Sequence, residues 1–147
     1  MMKMIMSVIS LLVLWSASSC SDDTYCASIE REIMDRCVKA DSVYSIKLNT
    51  LTQFDWDTVY VIRGLSFPEE VEGVIGLKYD KVIQDDHTQY IFTKDKKIVK
   101  ELTSECLSRR ILVGETRGIV KYPNAATVQV KKQINEGGEY YKFVGLR

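Results

Sequence analysis

The chain has one histidine, His87, and lacks a Cys-x-x-Cys pair, a Gly-x-Ser-x-Gly elbow and a glycine-rich phosphate loop. These absences remove support for a zinc knuckle, a thioredoxin-type redox centre, an α/β-hydrolase nucleophile and a nucleotide cradle. No charge of either sign dominates, with 20 basic and 20 acidic residues. A protein that tracks phosphates shows a marked basic excess, so no nucleic-acid partner is expected. No apolar run approaches the roughly 20 residues a membrane-spanning helix needs. Internal repeats and low-complexity segments are also missing.

What the chain does have begins at its amino terminus. Lys3 precedes an apolar stretch over residues 4–15, broken only by Ser7 and Ser10, and Ser16, Ala17, Ser18 and Ser19 follow. This is the anatomy of a cleaved leader. The small residues end at Cys20, and the segment resembles the lipobox of bacterial lipoproteins, although that motif usually has Leu where Ala17 stands. The resemblance implies cleavage before Cys20 and acylation of its sulfur and amine with chains of the palmitate class. Each buried CH₂ contributes ~0.8 kcal/mol, so three chains hold a protein at a bilayer almost irreversibly. The residue after Cys20 is Ser21, not the aspartate that retains enterobacterial lipoproteins at the inner membrane. The expected location is therefore the cell envelope at the outer membrane, in its periplasmic leaflet or at the surface.

The expected organisation is a signal peptide over 1–19, a lipidated tether over 20–24 and one globular domain over 25–147. Removing 19 of the 147 residues leaves 128, close to the commonest domain size. Lys3 is the leader's one charged residue, so 19 bases face 20 acids in the remainder. Lys94, Lys96, Lys97 and Lys100 make the C-terminal third locally basic, and half of them are expected to keep exposed strands soluble.

Three thiols follow Cys20: Cys26, Cys37 and Cys106. Cys26, Ile29, Ile33, Cys37 and Ala40 recur at spacings of three and four, which predicts an amphipathic helix over residues 23–40, capped by Asp22, Asp23 or Thr24. Along such a helix Cys26 and Cys37 stand ~16 Å apart, beyond the roughly 7 Å Cα separation a disulfide allows. Cys106 can then serve one of them. Cys37 is the preferred partner because Cys26 adjoins the tether, and a bridge closing about 70 residues adds roughly 2–4 kcal/mol. The leftover thiol is expected to be a buried apolar one.

Residues 43–48 can form a strand. Phe54, Asp55, Trp56, Asp57, Thr58, Val59, Tyr60, Val61 and Ile62 read as a strand interior to a sheet, apolar on both faces. Ser66 and Glu69 stand at capping-box spacing ahead of a short helix that Gly73 and Gly76 limit and that buries Val71, Val74 and Ile75. Three hairpins follow: residues 90–92 with 97–99, 111–113 with 118–122, and 126–132 with 140–144 about the 135–138 turn. In the last, Val128 and Val130 should face the core with Tyr141 and Phe143. The fold class is α+β, with one or two helices on a mostly antiparallel sheet of five or six strands.

The run from Phe54, Asp55, Trp56 and Asp57 through Pro68, Glu69, Glu70, Val71 and Glu72 to Ile75 and Gly76 resembles a group of small uncharacterised bacterial lipoproteins. In that group a strand with an Asp-Trp-Asp centre leads into a short acidic helix. A later strand like Tyr90, Ile91 and Phe92 precedes a charged turn. The resemblance spans about half of the mature chain and implies the anchor and the fold, not an activity.

Two constellations carry candidate chemistry. Asp55 and Asp57 would share a strand face about 7 Å apart and could act as an acid/base pair, although acids at such a position more often cap loops or pair with cations. His87 beside Asp85 and Asp86 could be a general base or a ligand, although a turn is the commoner context. Eight tyrosines, including Tyr60, Tyr90, Tyr122, Tyr140 and Tyr141, could line a recognition surface. The reading is a membrane-anchored envelope lipoprotein that binds an envelope protein without catalysis, with Cys20 as its lipidation site, no cofactor, no metal and no assigned catalytic residue. The alternatives are an anchored hydrolase using Asp55, Asp57 or His87, and a surface inhibitor or exclusion lipoprotein.

Overall fold

A computed structural model of the chain describes residues 26–106, 111–112 and 118–147. Cys20, the leader and the tether up to residue 24 lie outside the described residues, as does Val113. In chain order the elements are α1 (Ser28–Arg36), β1 (Val43–Lys47), a 3-10 turn (Leu48–Thr50), β2 (Thr58–Arg63), α2 (Pro68–Ile75), β3 (Thr88–Lys94), β4 (Lys97–Ser104), β5 (Gly118–Pro123), β6 (Thr127–Asn135) and β7 (Gly138–Leu146). The α+β class holds and every pairing is antiparallel. The strands divide between two sheets, of order β1-β6-β7 and β4-β3-β2-β5.

The period-two alternation of β2 explains why the second sheet is covered on both faces. Val59 and Val61, opposite Phe92 and Tyr90 of β3, point into a core completed by Ile29 and Ile33 of α1 and by Val128, Val130 and Tyr141 of the three-stranded sheet. Phe143 packs at its margin, as the alternation of β6 and β7 predicts. Ile62 and Ile91 point the other way and meet Val71 and Ile75 of α2 with Tyr79 and Ile83. The chain is therefore layered, with α1 and one sheet on one side of the central sheet and α2 with its following segment on the other.

Several elements are shorter or shifted from their sequence expectation. Within the described residues α1 covers nine residues, not 23–40; Cys26 precedes it and Cys37 closes it, with the Cys37 N–H donating to Ile33 and Met34 carbonyls. α2 is capped by Phe67, not Ser66: the Glu70 carboxylate accepts from the Phe67 N–H at 2.9 Å. Val71 and Ile75, four residues apart on one face, are buried, while Val74 lies at the surface. Gly76 ends the helix at φ 70°, in the left-handed region where glycine carries no Cβ penalty. Residues 111–112 are not a strand. Ile111 and Leu112 sink into the first core, and β5 pairs with β2 instead.

The β3–β4 and β6–β7 hairpins form as expected. Asp95 and Lys96 hold φ of 50° and 58°, the paired positive values of a tight turn whose twist matches the strands.

Candidate functional site

Asp55 and Asp57 lie ahead of β2, not on it, so the shared-face argument does not apply to them. Trp56 is buried edge-on against Phe92, with ring centroids 5.2 Å apart, and its indole N–H donates to Thr52 Oγ1 at 2.8 Å. Anchoring that ring turns the two flanking carboxylates outward. Asp55 pairs with Lys94 at 3.2 Å, and Asp57 accepts from the Asp95 N–H at 3.0 Å, clamping the β3–β4 turn. His87 sits at the opposite end of β3. Asp57 binds the Thr93 carbonyl through its N–H, and the six residues from 87 to 93 put ~20 Å between the histidine and that aspartate. Its ring nitrogens stand 2.8 Å from Asp86 Oδ1 and 3.2 Å from Glu105 Oε1. The three residues named for a hydrolase are thus not brought together.

The cysteine pairing corrects the sequence preference. Cys26 bonds Cys106, with Cα atoms 5.0 Å apart, and Cys37 is a free, fully buried thiol. Because α1 begins after Cys26, that residue is free to lie beside the end of β4, where Cys106 follows Ser104. Cys37 is carried to the far end of the helix and into the core. Cys26 is itself buried, so closeness to the tether did not expose it. Burial pushes the Cys37 thiol up to about 11, against the opposing charge of Lys132.

Beside the disulfide stands a carboxylate that α1 buries although it lies outside the stripe of Ile29, Ile33 and Cys37. Glu30, 2% exposed, accepts from Tyr90 Oη and Ser104 Oγ and from the Ala27 N–H at 3.3 Å. Burial, then the Glu30 charge, push the Tyr90 phenol well above its ordinary value. Sulfurs of Cys26 and Cys106 and a Glu30 oxygen lie within 4.8 Å of one another. Both sulfurs are spent on the bridge, so the group offers a cation one carboxylate and no thiolate.

An open cleft of about 690 Å³ lies between segment 79–84 and β4, with Gln89 of β3 in its lining. Four of its polar side chains satisfy one another. Lys81 Nζ reaches Glu101 at 2.6 Å, Thr103 Oγ1 donates to Gln89 Oε1 at 2.6 Å, and Gln89 Nε2 reaches Glu101 at 3.5 Å. Burial and then Glu101 raise the Tyr79 phenol, and the hydrogen bond to Glu101 raises Lys81. Val82 and Val99, 46% and 44% exposed, stand on its two sides, and His87 closes one end. The sequence carries little signal for this cleft, because β4 shows no clean alternation and the opposite wall has no regular secondary structure.

Comparison with known proteins adds no relative: no family model, curated protein or solved structure matches the chain.

Proposed function

We propose that the protein is a lipid-anchored envelope lipoprotein whose folded part binds another envelope component through the cleft between segment 79–84 and β4, without catalysing a reaction. The observation that carries the binding reading is the cleft itself, with two exposed valines flanking polar groups that already satisfy one another. Such a surface favours contact over chemistry. The separation of Asp55 and Asp57 from His87 supports it further, because acid/base catalysis needs its groups within hydrogen-bond reach of one reacting centre. The anchor rests on the leader and Cys20, and the resemblance of residues 54–76 to small bacterial lipoproteins agrees with it.

Two measurements test this reading. Cys20→Ala should shift the protein from the membrane to the soluble fraction and abolish labelling by palmitate; an unchanged membrane fraction would overturn the anchor. A photo-crosslinking side chain at Val82, placed in intact cells, should trap a discrete envelope partner that the same probe at exposed Val43 does not. Equal or absent trapping at the two positions would overturn the cleft as the binding surface.

A further inference from the structure

We propose that the cleft is a strand-addition site: an extended, acidic segment of a partner polypeptide lies along β4 as a further strand of the four-stranded sheet. This rests on the binding reading above and names the class of partner.

The cleft has few side-chain groups left to read a polar small molecule, since Lys81, Glu101, Gln89 and Thr103 are committed to one another. What remains open is main chain. In the order β4-β3-β2-β5, β4 is an edge strand, and one row of its N–H and C=O groups has no strand partner among the described residues. A free edge is a template for another chain, and main-chain pairing with pockets for alternate side chains is a recurrent way of binding peptides. The cleft follows that edge, since Ile98, Val99, Lys100, Glu101 and Thr103 of β4 all line it. Beyond the bulge at the Phe92/Thr93 step, residues 100–104 pair with β3 in unbroken register. That stretch offers roughly 17 Å of regular edge. Val82 and Val99 flank the path with apolar surface.

Charge selects among strands. Lys97 and Lys100 are exposed and make no ion pair among the described residues, whereas Glu101 is engaged by Lys81 and Glu105 by His87. Lysines on an edge repel basic strands and penalise purely apolar ones, which is how edges are protected from chance pairing. The same lysines favour a strand bearing carboxylates, so protection and selectivity have one origin.

The test uses a fluorescein-labelled hexapeptide of alternating glutamate and valine, its lysine–valine counterpart, and a glutamate–valine version with alternate backbone nitrogens methylated. The acidic peptide should bind with a Kd below about 100 µM, and the basic and methylated peptides at least roughly tenfold more weakly. K97E/K100E, two exposed changes that circular dichroism can check for folding, should reverse the preference between acidic and basic peptides. No binding at 1 mM would overturn the proposal, as would a methylated peptide that binds equally or a preference unmoved by K97E/K100E. Self-association in the ultracentrifuge that K97E/K100E abolishes would assign the edge to a second copy of this chain and also overturn it. If every peptide fails while the Val82 probe still traps a partner in cells, strand addition falls and the broader binding reading stands.

Discussion

Glu30 shows how much one side chain can couple. Its carboxylate joins α1 to β3 through Tyr90 and to β4 through Ser104, inside a layer that excludes water. Tyr90→Phe keeps the ring packing and removes one donor, so it should lower stability by about 1–3 kcal/mol in urea unfolding. Ser104→Ala should cost a similar amount, and the double variant less than the sum, because both act on one carboxylate. Cys37 gives a pH-dependent prediction. Its thiol is raised from 9.0 to about 11 by burial, so the unfolded chain loses that proton first. The stabilisation is complete below pH 9 and disappears as pH rises towards 11. Cys37→Ala should flatten that part of the stability profile, and native Cys37 should resist thiol reagents until the protein unfolds. Glu30 was hidden from sequence reading because its helix position borders the apolar stripe. Only the tertiary placement of Tyr90 and Ser104 reveals that it faces inward.

Elements were legible where pattern and turn chemistry agreed. β2, β3 and the last hairpin followed from β-branched and aromatic residues with period two. Polar residues between apolar runs predicted a turn over residues 93–96; β3 runs on through Lys94, and the turn itself is Asp95 and Lys96. That turn carries a local conflict, because Lys96 holds φ 58°, where a Cβ is disfavoured. Lys96→Gly should raise the urea midpoint by an amount equivalent to about 0.5–1 kcal/mol. The start of β2 was misjudged for a physical reason. Residues 54–57 have strand-like composition, but Trp56 is drawn into the core and Asn124 ties the Trp56 carbonyl at 2.8 Å, which bends the chain before pairing begins. The end of α1 was similarly overestimated, since periodic apolar residues continue past Arg36 while the backbone turns at Cys37. The cleft was the least legible feature, because the 79–84 wall is held by the Ser66–Ile83 bridge and by Tyr79 N–H donating to Glu72, contacts that no local pattern encodes.

At the scale of the whole molecule, two apolar clusters on opposite faces of one sheet divide the stabilisation unequally. The first draws on α1, both sheets and residues 111–112, and the second on α2, its following segment and one face of the four-stranded sheet. The bridge between Cys26 and Cys106 spans 80 positions of sequence, so replacing both with alanine should cost about 2–5 kcal/mol, read by calorimetry against the oxidised wild type. The sequence correctly limited Cys106 to one partner, but the choice depended on where α1 starts, and helix starts are set by tertiary contacts as much as by caps. Under the proposed anchoring through Cys20, the same bridge has a mechanical consequence. Tension arriving at residue 26 would pass through the sulfurs to the end of β4 and be borne by the pairing of that edge strand with β3. The first helix stays slack inside a closed loop and cannot be peeled away turn by turn. Reduction would open that loop and make the helix the first part to unravel under load.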